Sequence, residues 1–187
     1  MAATQSIRKA QKSDAPEIAS IGHEAAPFQF TNGNPLIHLH ADSQRYITEY
    51  WREDTVTKLI ETQNKDMFVA YDQSGKITGF ALLSRHDPCL TLPSHHPLVA
   101  EQWACLDSLF VHPDFHRQKT RTSLLKEVEG VAEQNGMEMM WLTVHEVNEV
   151  AQKFYLKHGY VEVSRSDFPD KNDITMVKNL KNTSSST

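Results

Sequence analysis

The chain has 187 residues, enough for one ordinary domain that buries roughly 70% of the surface its unfolded form exposes. Its 24 acidic and 19 basic residues leave a formal net charge of -5, which argues against a dedicated nucleic-acid binder and is compatible with cationic, amine-bearing partners. With 39% hydrophobic residues and no apolar run near the ~18 residues of a membrane span, disordered, fibrous and membrane classes are excluded as well.

The N-terminal residues Met1-Ala-Ala-Thr-Gln lack the apolar stretch of a secretory signal, and two cysteines, Cys89 and Cys105, fit a reducing compartment better than a disulfide framework. A cytoplasmic location is therefore expected. Ser6 to Ala10 reads as a short strand. Ser13-Asp-Ala-Pro-Glu then opens a helix, with Ser13 or Asp14 as N-cap and Pro16 and Glu17 in the first turn, closing at Ala26 to Phe30. The spacing of Tyr46, Ile47, Tyr50, Trp51, Val56, Leu59 and Ile60 predicts one helix over Ser43 to Gln63. Asp66 to Tyr71 and Ile77 to Leu83 flank a turn at Asp72 to Lys76 and predict an antiparallel hairpin.

A proline-containing loop spans His86 to Gln102, followed by a strand from Trp103 to Val111 and a helix from Thr122 to Gln134. Glu138 to Val144 is apolar on both faces, as a central strand should be. Asn148 to His158 reads as a helix stopped by Gly159, and Tyr160 to Ser164 and Ile174 to Val177 supply the last strands. The expected order is β-αα-β-β-β-α-β-α-β-β, an α/β fold with one mixed sheet. One domain over residues 1–181 is expected, with a disordered tail at 182–187.

The run Asn148-Glu-Val-Ala-Gln-Lys-Phe-Tyr-Leu-Lys-His-Gly-Tyr160 resembles the Asn-x-x-Ala-x-x-Phe-Tyr-x-x-x-Gly-Phe/Tyr segment of the GNAT superfamily of acyl-CoA-dependent N-acetyltransferases. The resemblance implies a single-domain, mostly antiparallel twisted sheet flanked by helices. It also implies acetyl-CoA as co-substrate and a small-molecule amine as acceptor, with direct attack and no acyl-enzyme. Tyr155 falls where the family places the general acid, and Asn148, an ordinary N-cap by type, falls where the pantetheine arm is contacted. In the stretch Leu106-Asp-Ser-Leu-Phe-Val111, similar to polyamine-type members, Asp107 matches a proposed base, and the backbone of Leu109, Phe110 and Val111 lies where the acetyl carbonyl is polarised.

In the family, Gln/Arg-x-x-Gly-x-Gly/Ala wraps the cofactor pyrophosphate at a helix start. Here the corresponding segment is His116-Arg-Gln-Lys-Thr-Arg-Thr122, so His116, Lys119 and Arg121 replace Gln/Arg, Gly and Gly/Ala, with Arg117, Gln118, Thr120 and Thr122 between and beside them. A left-handed backbone at Lys119 or Arg121 costs on the order of 1 to 2 kcal/mol. Charge-assisted bonds to phosphate contribute roughly 1.5 to 3 kcal/mol each. Two readings follow: cations that grip the cofactor, or a repurposed, catalytically inactive cleft that binds another small molecule or partner.

Period-2 alternation puts Asp107, Leu109 and Val111 on one strand face and Leu106, Ser108 and Phe110 on the other. Cys105 is expected to be a buried packing residue. Among the ten histidines, His38, His40, His95 and His96 have no carboxylate or cysteine pattern to complete a metal site, so no metal is expected. With Phe28, Phe30 and Trp51 they are expected to flank the acceptor pocket, and a homodimer is compatible with the sequence.

Overall fold

The computed structural model describes residues 6–32, 34, 39, 41–87, 102–115, 119–165 and 173–181. Seven strands form one sheet in the order β1-β2-β3-β4-β5-β7-β6. They are β1 (Ser6–Lys9), β2 (Lys65–Tyr71), β3 (Ile77–Arg85), β4 (Trp103–Val111), β5 (Met139–His145), β6 (Val161–Arg165) and β7 (Asp173–Asn179). Every neighbouring pair is antiparallel except β4 and β5. Five helices accompany them: α1 (Ala15–Thr31), α2 (Ala41–Tyr50), α3 (Glu53–Glu61), α4 (Thr120–Gln134) and α5 (Glu149–Lys157).

Helix α1 begins as its composition predicts, with Pro16 in the first turn, but neither Ser13 nor Asp14 caps it through a side chain. The Asp14 carboxylate instead accepts from the Gln11 amide at 2.7 Å and from Arg8 at 2.6 and 2.9 Å, tying the chain after β1 into a short helical turn. The helix also runs on through Pro27 to Thr31, past its expected close, and ends on Asn32 in the left-handed region.

The single helix expected over Ser43 to Gln63 is two. Arg52 is extended (φ -81°, ψ 149°), and the break drops Trp51 into the core. Its indole packs on Phe80 and Phe110, with ring centroids 5.1 and 5.4 Å away. Burying a ring of that size outweighs the hydrogen bonds lost at the break.

Two apolar layers cover the sheet. On one side Ile18, Ile21, Trp51, Val56, Met67, Val69, Phe80 and Leu82 pack α1 to α3 against β2 and β3. On the other, Leu106, Leu109, Leu124, Leu125, Val128, Met140, Tyr155 and Tyr160 pack α4 and α5 against β4 and β5. Strand β5 lies between β4 and β7, as its two apolar faces require. The parallel pair β4/β5 holds for only three residue pairs, Trp103–Met139, Ala104–Met140 and Cys105–Trp141, before the strands part. That parting opens the sheet.

Among the described residues no helix is long and apolar enough to cross a membrane. Residues 182–187, the 88–101 part of the proline-containing loop, and His38, His40, Cys89, His95, His96, His116, Arg117 and Gln118 lie outside the described residues.

Candidate active site

Where β4 and β5 separate, a cleft of about 640 Å³ forms. One wall is Leu106 to Val111, the other Thr143 to His145; Lys119 to Thr122 close one end, and Asn148, Ala151, Phe154 and Tyr155 of α5 line the flank. The volume falls within the usual range for small-molecule and cofactor sites.

The direction of the β4 amides follows from one bond. His112 N donates to Thr78 O at 2.9 Å, and the register Gly79–Val111, Phe80–Phe110, Ala81–Leu109 is regular. Alternation in an antiparallel ladder therefore turns the amides of Phe110 and Ser108 towards β3 and those of Leu109 and Val111 towards the cleft. Phe110 contributes to the cleft wall, but its ring also packs on Trp51 and Phe80.

Asp107 does not share a face with Leu109. Leu82 pairs with Ser108 and Leu83 with Leu106, so Asp107 is the extra residue of a β-bulge. The inserted residue resets the alternation: Leu106 joins Leu109 and Val111 in the α4/α5 layer. Asp107 turns to the opposite face, where its Oδ2 accepts from Lys65 Nζ at 2.6 Å and Ser84 Oγ at 2.5 Å. Lys65 also donates to Ser84. The Cys105 thiol is a further hydrogen-bond partner of the Asp107 carboxylate.

Around Asp107 the α2 aromatics form a wall. Tyr46 and Tyr50 stack with centroids 5.1 Å apart. Burial first, and then the Asp107 charge, hold the Tyr50 phenol above its ordinary range. Phe30 lies edge-on to Tyr46 and His145 at 6.2 and 5.5 Å. Phe28 lines the cleft, whereas Trp51 is fully buried beneath it and does not reach the cleft wall. Helical spacing marks Trp51 as a buried position without saying which cavity it borders.

Cys105 is buried, and burial, followed by the Asp107 charge, raises its thiol far above the ordinary range. Its sulfur and one oxygen each from Asp87 and Asp107 lie within 4.8 Å of one another. Lys65 pairs with the Asp107 carboxylate of this group.

The described part of the glycine-less segment begins at the start of α4. Lys119 is its N-cap, at φ 63° and ψ 3°, so a lysine adopts the left-handed conformation for which a glycine is the ordinary choice. Arg121 is helical and sends its guanidinium across to α5, 4.7 Å from the Phe154 ring centre and 6.0 Å from that of Tyr155. Lys119 makes no side-chain cap bond, and the first amides of an α-helix have no intrahelical acceptor.

Helix α5 is capped by Asn148, whose Oδ1 accepts from Ala151 N at 3.1 Å. Gly159, at φ 87°, closes it with Gly159 N on Leu156 O and Tyr160 N on Tyr155 O. These two ends fix the turn that carries Tyr155 into the cleft flank. Tyr155 is 6% exposed, and burial raises its phenol above the ordinary range, with Arg121 opposing.

A model of the acetyltransferase (GNAT) family matches residues 35–160, which include both cleft walls and α5 up to Tyr160. The chain belongs to the GNAT acetyltransferase family. Uncharacterized N-acetyltransferases of Mycobacterium tuberculosis and Mycobacterium bovis are 28% identical over 110 residues, 57% of this chain and 62% of theirs. The chain thus matches less than two thirds of the length of these relatives. Among solved structures, the PaiA N-acetyltransferase of Thermoplasma acidophilum in complex with coenzyme A superimposes with a TM-score of 0.74 at 20% identity, over 94% of this chain and 99% of that one. A GNAT-family acetyltransferase of Staphylococcus aureus gives 0.66 at 18% identity over 95% and 99%. These likenesses show a GNAT fold.

Lys65 and Ser84, the partners of Asp107, are missed by a reading of strand composition. Both stand just outside the expected hairpin strands, yet extending that hairpin's register by one pair places them opposite each other. His145 and Gln29, at the cleft, carry no comparable signal.

Proposed function

We propose that the protein is an N-acetyltransferase that moves an acetyl group from acetyl-CoA to a primary amine of a small molecule by direct attack, in a reducing, cytoplasmic setting. The observation that carries the reading is the cleft at the β4/β5 parting, which gathers the start of α4, an inward-facing strand amide and a tyrosine around one space. Its residues fit coenzyme A. Lys119 takes the backbone conformation a glycine loop needs, and the amides of Arg121 and Thr122 with the Lys119 ammonium suit phosphate oxygens. Asn148 and Ala151 stand on the flank suited to the pantetheine arm.

Acetyl-CoA, when bound, would supply the acyl group as an activated thioester and leave as the coenzyme A thiol. The Leu109 N–H is directed to polarise a carbonyl in the cleft, as an oxyanion-hole donor does. Tyr155 Oη holds its proton at neutral pH and is the donor to a leaving thiolate. Asp107 Oδ1, opposite the two donors on Oδ2, is the acceptor for the amine's proton, taken directly or through water. Phe28, Phe30, Tyr46 and Tyr50 bound the acceptor side with apolar and aromatic surface that suits the stem of an amine.

The reading with an inactive cleft is disfavoured by Lys119, because its backbone takes the left-handed conformation despite the side chain. Calorimetric titration with acetyl-CoA and with coenzyme A should give micromolar-range binding, and release of free thiol should depend on an added amine. Absence of any heat at millimolar ligand would remove the acetyltransferase reading.

A further inference from the structure

Arg121 is a half-buried cation with an aromatic rather than an acidic neighbourhood. Among the described residues no carboxylate forms an ion pair with it, and its guanidinium lies over Phe154 at 4.7 Å and near Tyr155 at 6.0 Å. Both rings belong to α5, whereas Arg121 is the second residue of α4. The side chain therefore bridges the two helices that bound the cleft, at the level of Tyr155. Phe154 and Tyr155 are themselves edge to face, with centroids 5.2 Å apart, so the three groups form one stack.

The groups that face Tyr155 come from each element packed on it: Arg121 from α4, Cys105 from β4 and, after α5, Tyr160, whose ring is 5.5 Å away. Of these only Arg121 carries a positive charge. Burial makes the Tyr155 phenol harder to ionise, and Arg121 works against burial.

We infer that Arg121 is a positioning residue for Tyr155: its guanidinium, stacked on Phe154, fixes the phenol in the cleft flank and supplies the cation that faces it. The inference rests on the acetyltransferase reading for its catalytic meaning, but the link between the two side chains stands on geometry alone. One consequence distinguishes it from simple phosphate binding. A residue that only grips phosphate matters only when the acyl donor carries phosphate, whereas a residue that positions Tyr155 matters for every donor.

The test compares the wild type, Arg121→Met, Arg121→Lys and Phe154→Leu with two donors, acetyl-CoA and S-acetylpantetheine, the second of which has no phosphate. Arg121→Met is expected to lower kcat by about tenfold with both donors, since a misplaced general acid forfeits part of its contribution. Arg121→Lys should recover part of that loss by restoring the charge without the plane. Phe154→Leu, which keeps the charge and removes the stacking face, should lower kcat more than it raises KM.

An independent readout is the 13Cζ resonance of Tyr155, assigned by its absence in Tyr155→Phe and followed against pH. It is expected to titrate at higher pH in Arg121→Met and to return towards wild type in Arg121→Lys. The inference is overturned if Arg121→Met matches wild type with S-acetylpantetheine while losing only acetyl-CoA affinity, or if the Tyr155 titration does not move. If the wild type transfers no acetyl group to any amine, the acetyltransferase reading fails, and the titration alone still decides whether Arg121 governs Tyr155.

Discussion

Gly22 and Trp51 are in such close contact that a Cβ on Gly22 would lie 2.5 Å from Trp51 Cδ2 and 2.6 Å from Cγ. The glycine gives α1 the flat spot on which the indole rests, and the indole in turn touches Phe80 and Phe110 beneath the cleft wall. Gly22→Ala should therefore destabilise the protein by about 1 to 3 kcal/mol, because a fully buried ring in contact with two others cannot shift without cost. Urea unfolding checks this, and an unchanged midpoint would show that the layer is looser than its contacts indicate.

Lys119 offers the opposite case. Its φ of 63° is a conformation that costs an ordinary residue about 1 kcal/mol or more, so Lys119→Gly is expected to raise stability by roughly 0.5 to 1 kcal/mol once the greater freedom of an unfolded glycine is counted. The same variant removes a cation from the phosphate end of the cleft. Coenzyme A affinity should fall at low salt even as stability rises, and tighter binding would refute the idea that the lysine charge assists.

The Lys65–Asp107 pair is mostly shielded, with side-chain exposures of 26% and 18%. Removing either partner leaves the other charge poorly compensated, so Lys65→Met and Asp107→Asn should each cost about 1 to 3 kcal/mol, and the double variant less than the sum. If Asp107 also takes the proton of the amine, Asp107→Asn lowers turnover beyond its effect on folding. A mild second variant, Ser84→Ala, should leave most of the turnover intact.

Acid should unfold the protein through two carboxyls in particular. Arg8 holds the Asp14 carboxyl below its ordinary value, and Lys9 with Arg85 do the same for Asp66, outweighing the burial that pushes it up. A group depressed in the folded state contributes stability above its unfolded pKa and loses that contribution as pH falls through the folded value. The loss should therefore set in below about pH 4, the ordinary aspartate range. Asp66→Asn should be less stable at pH 7 and show a shallower decline between pH 4 and 2; a parallel decline would assign the acid sensitivity elsewhere.

Tyr155→Phe should lower kcat by about a hundredfold, the lower end for a general acid, while KM for acetyl-CoA stays within about twofold. Steady-state assays over a range of pH read both. An unaltered kcat would take the proton-donor role from Tyr155.

Much of the fold can be read from local pattern. Strand β4 keeps its expected bounds, and the α5 segment announces its cap, its apolar face and its terminating glycine within thirteen residues. What escapes the sequence is where local rules are overridden by contacts distant in the chain. Trp51 breaks a helix because Phe80 and Phe110 receive it, and Asp107 changes face because one residue more stands on β4 than β3 can match. The cation at Arg121 is visible as a residue type, but its stacking on Phe154 depends on how two helices meet.

The short union of β4 and β5 has a mechanical meaning. With three residue pairs joining them, the sheet is two leaves, β1 to β4 and β5 to β7, bound along a narrow spine. Flexing is concentrated at such a seam, so a molecule lodged between the leaves acts as a splint. Slower amide exchange at Trp103 to Cys105 and Met139 to Trp141 on adding coenzyme A would register that stiffening.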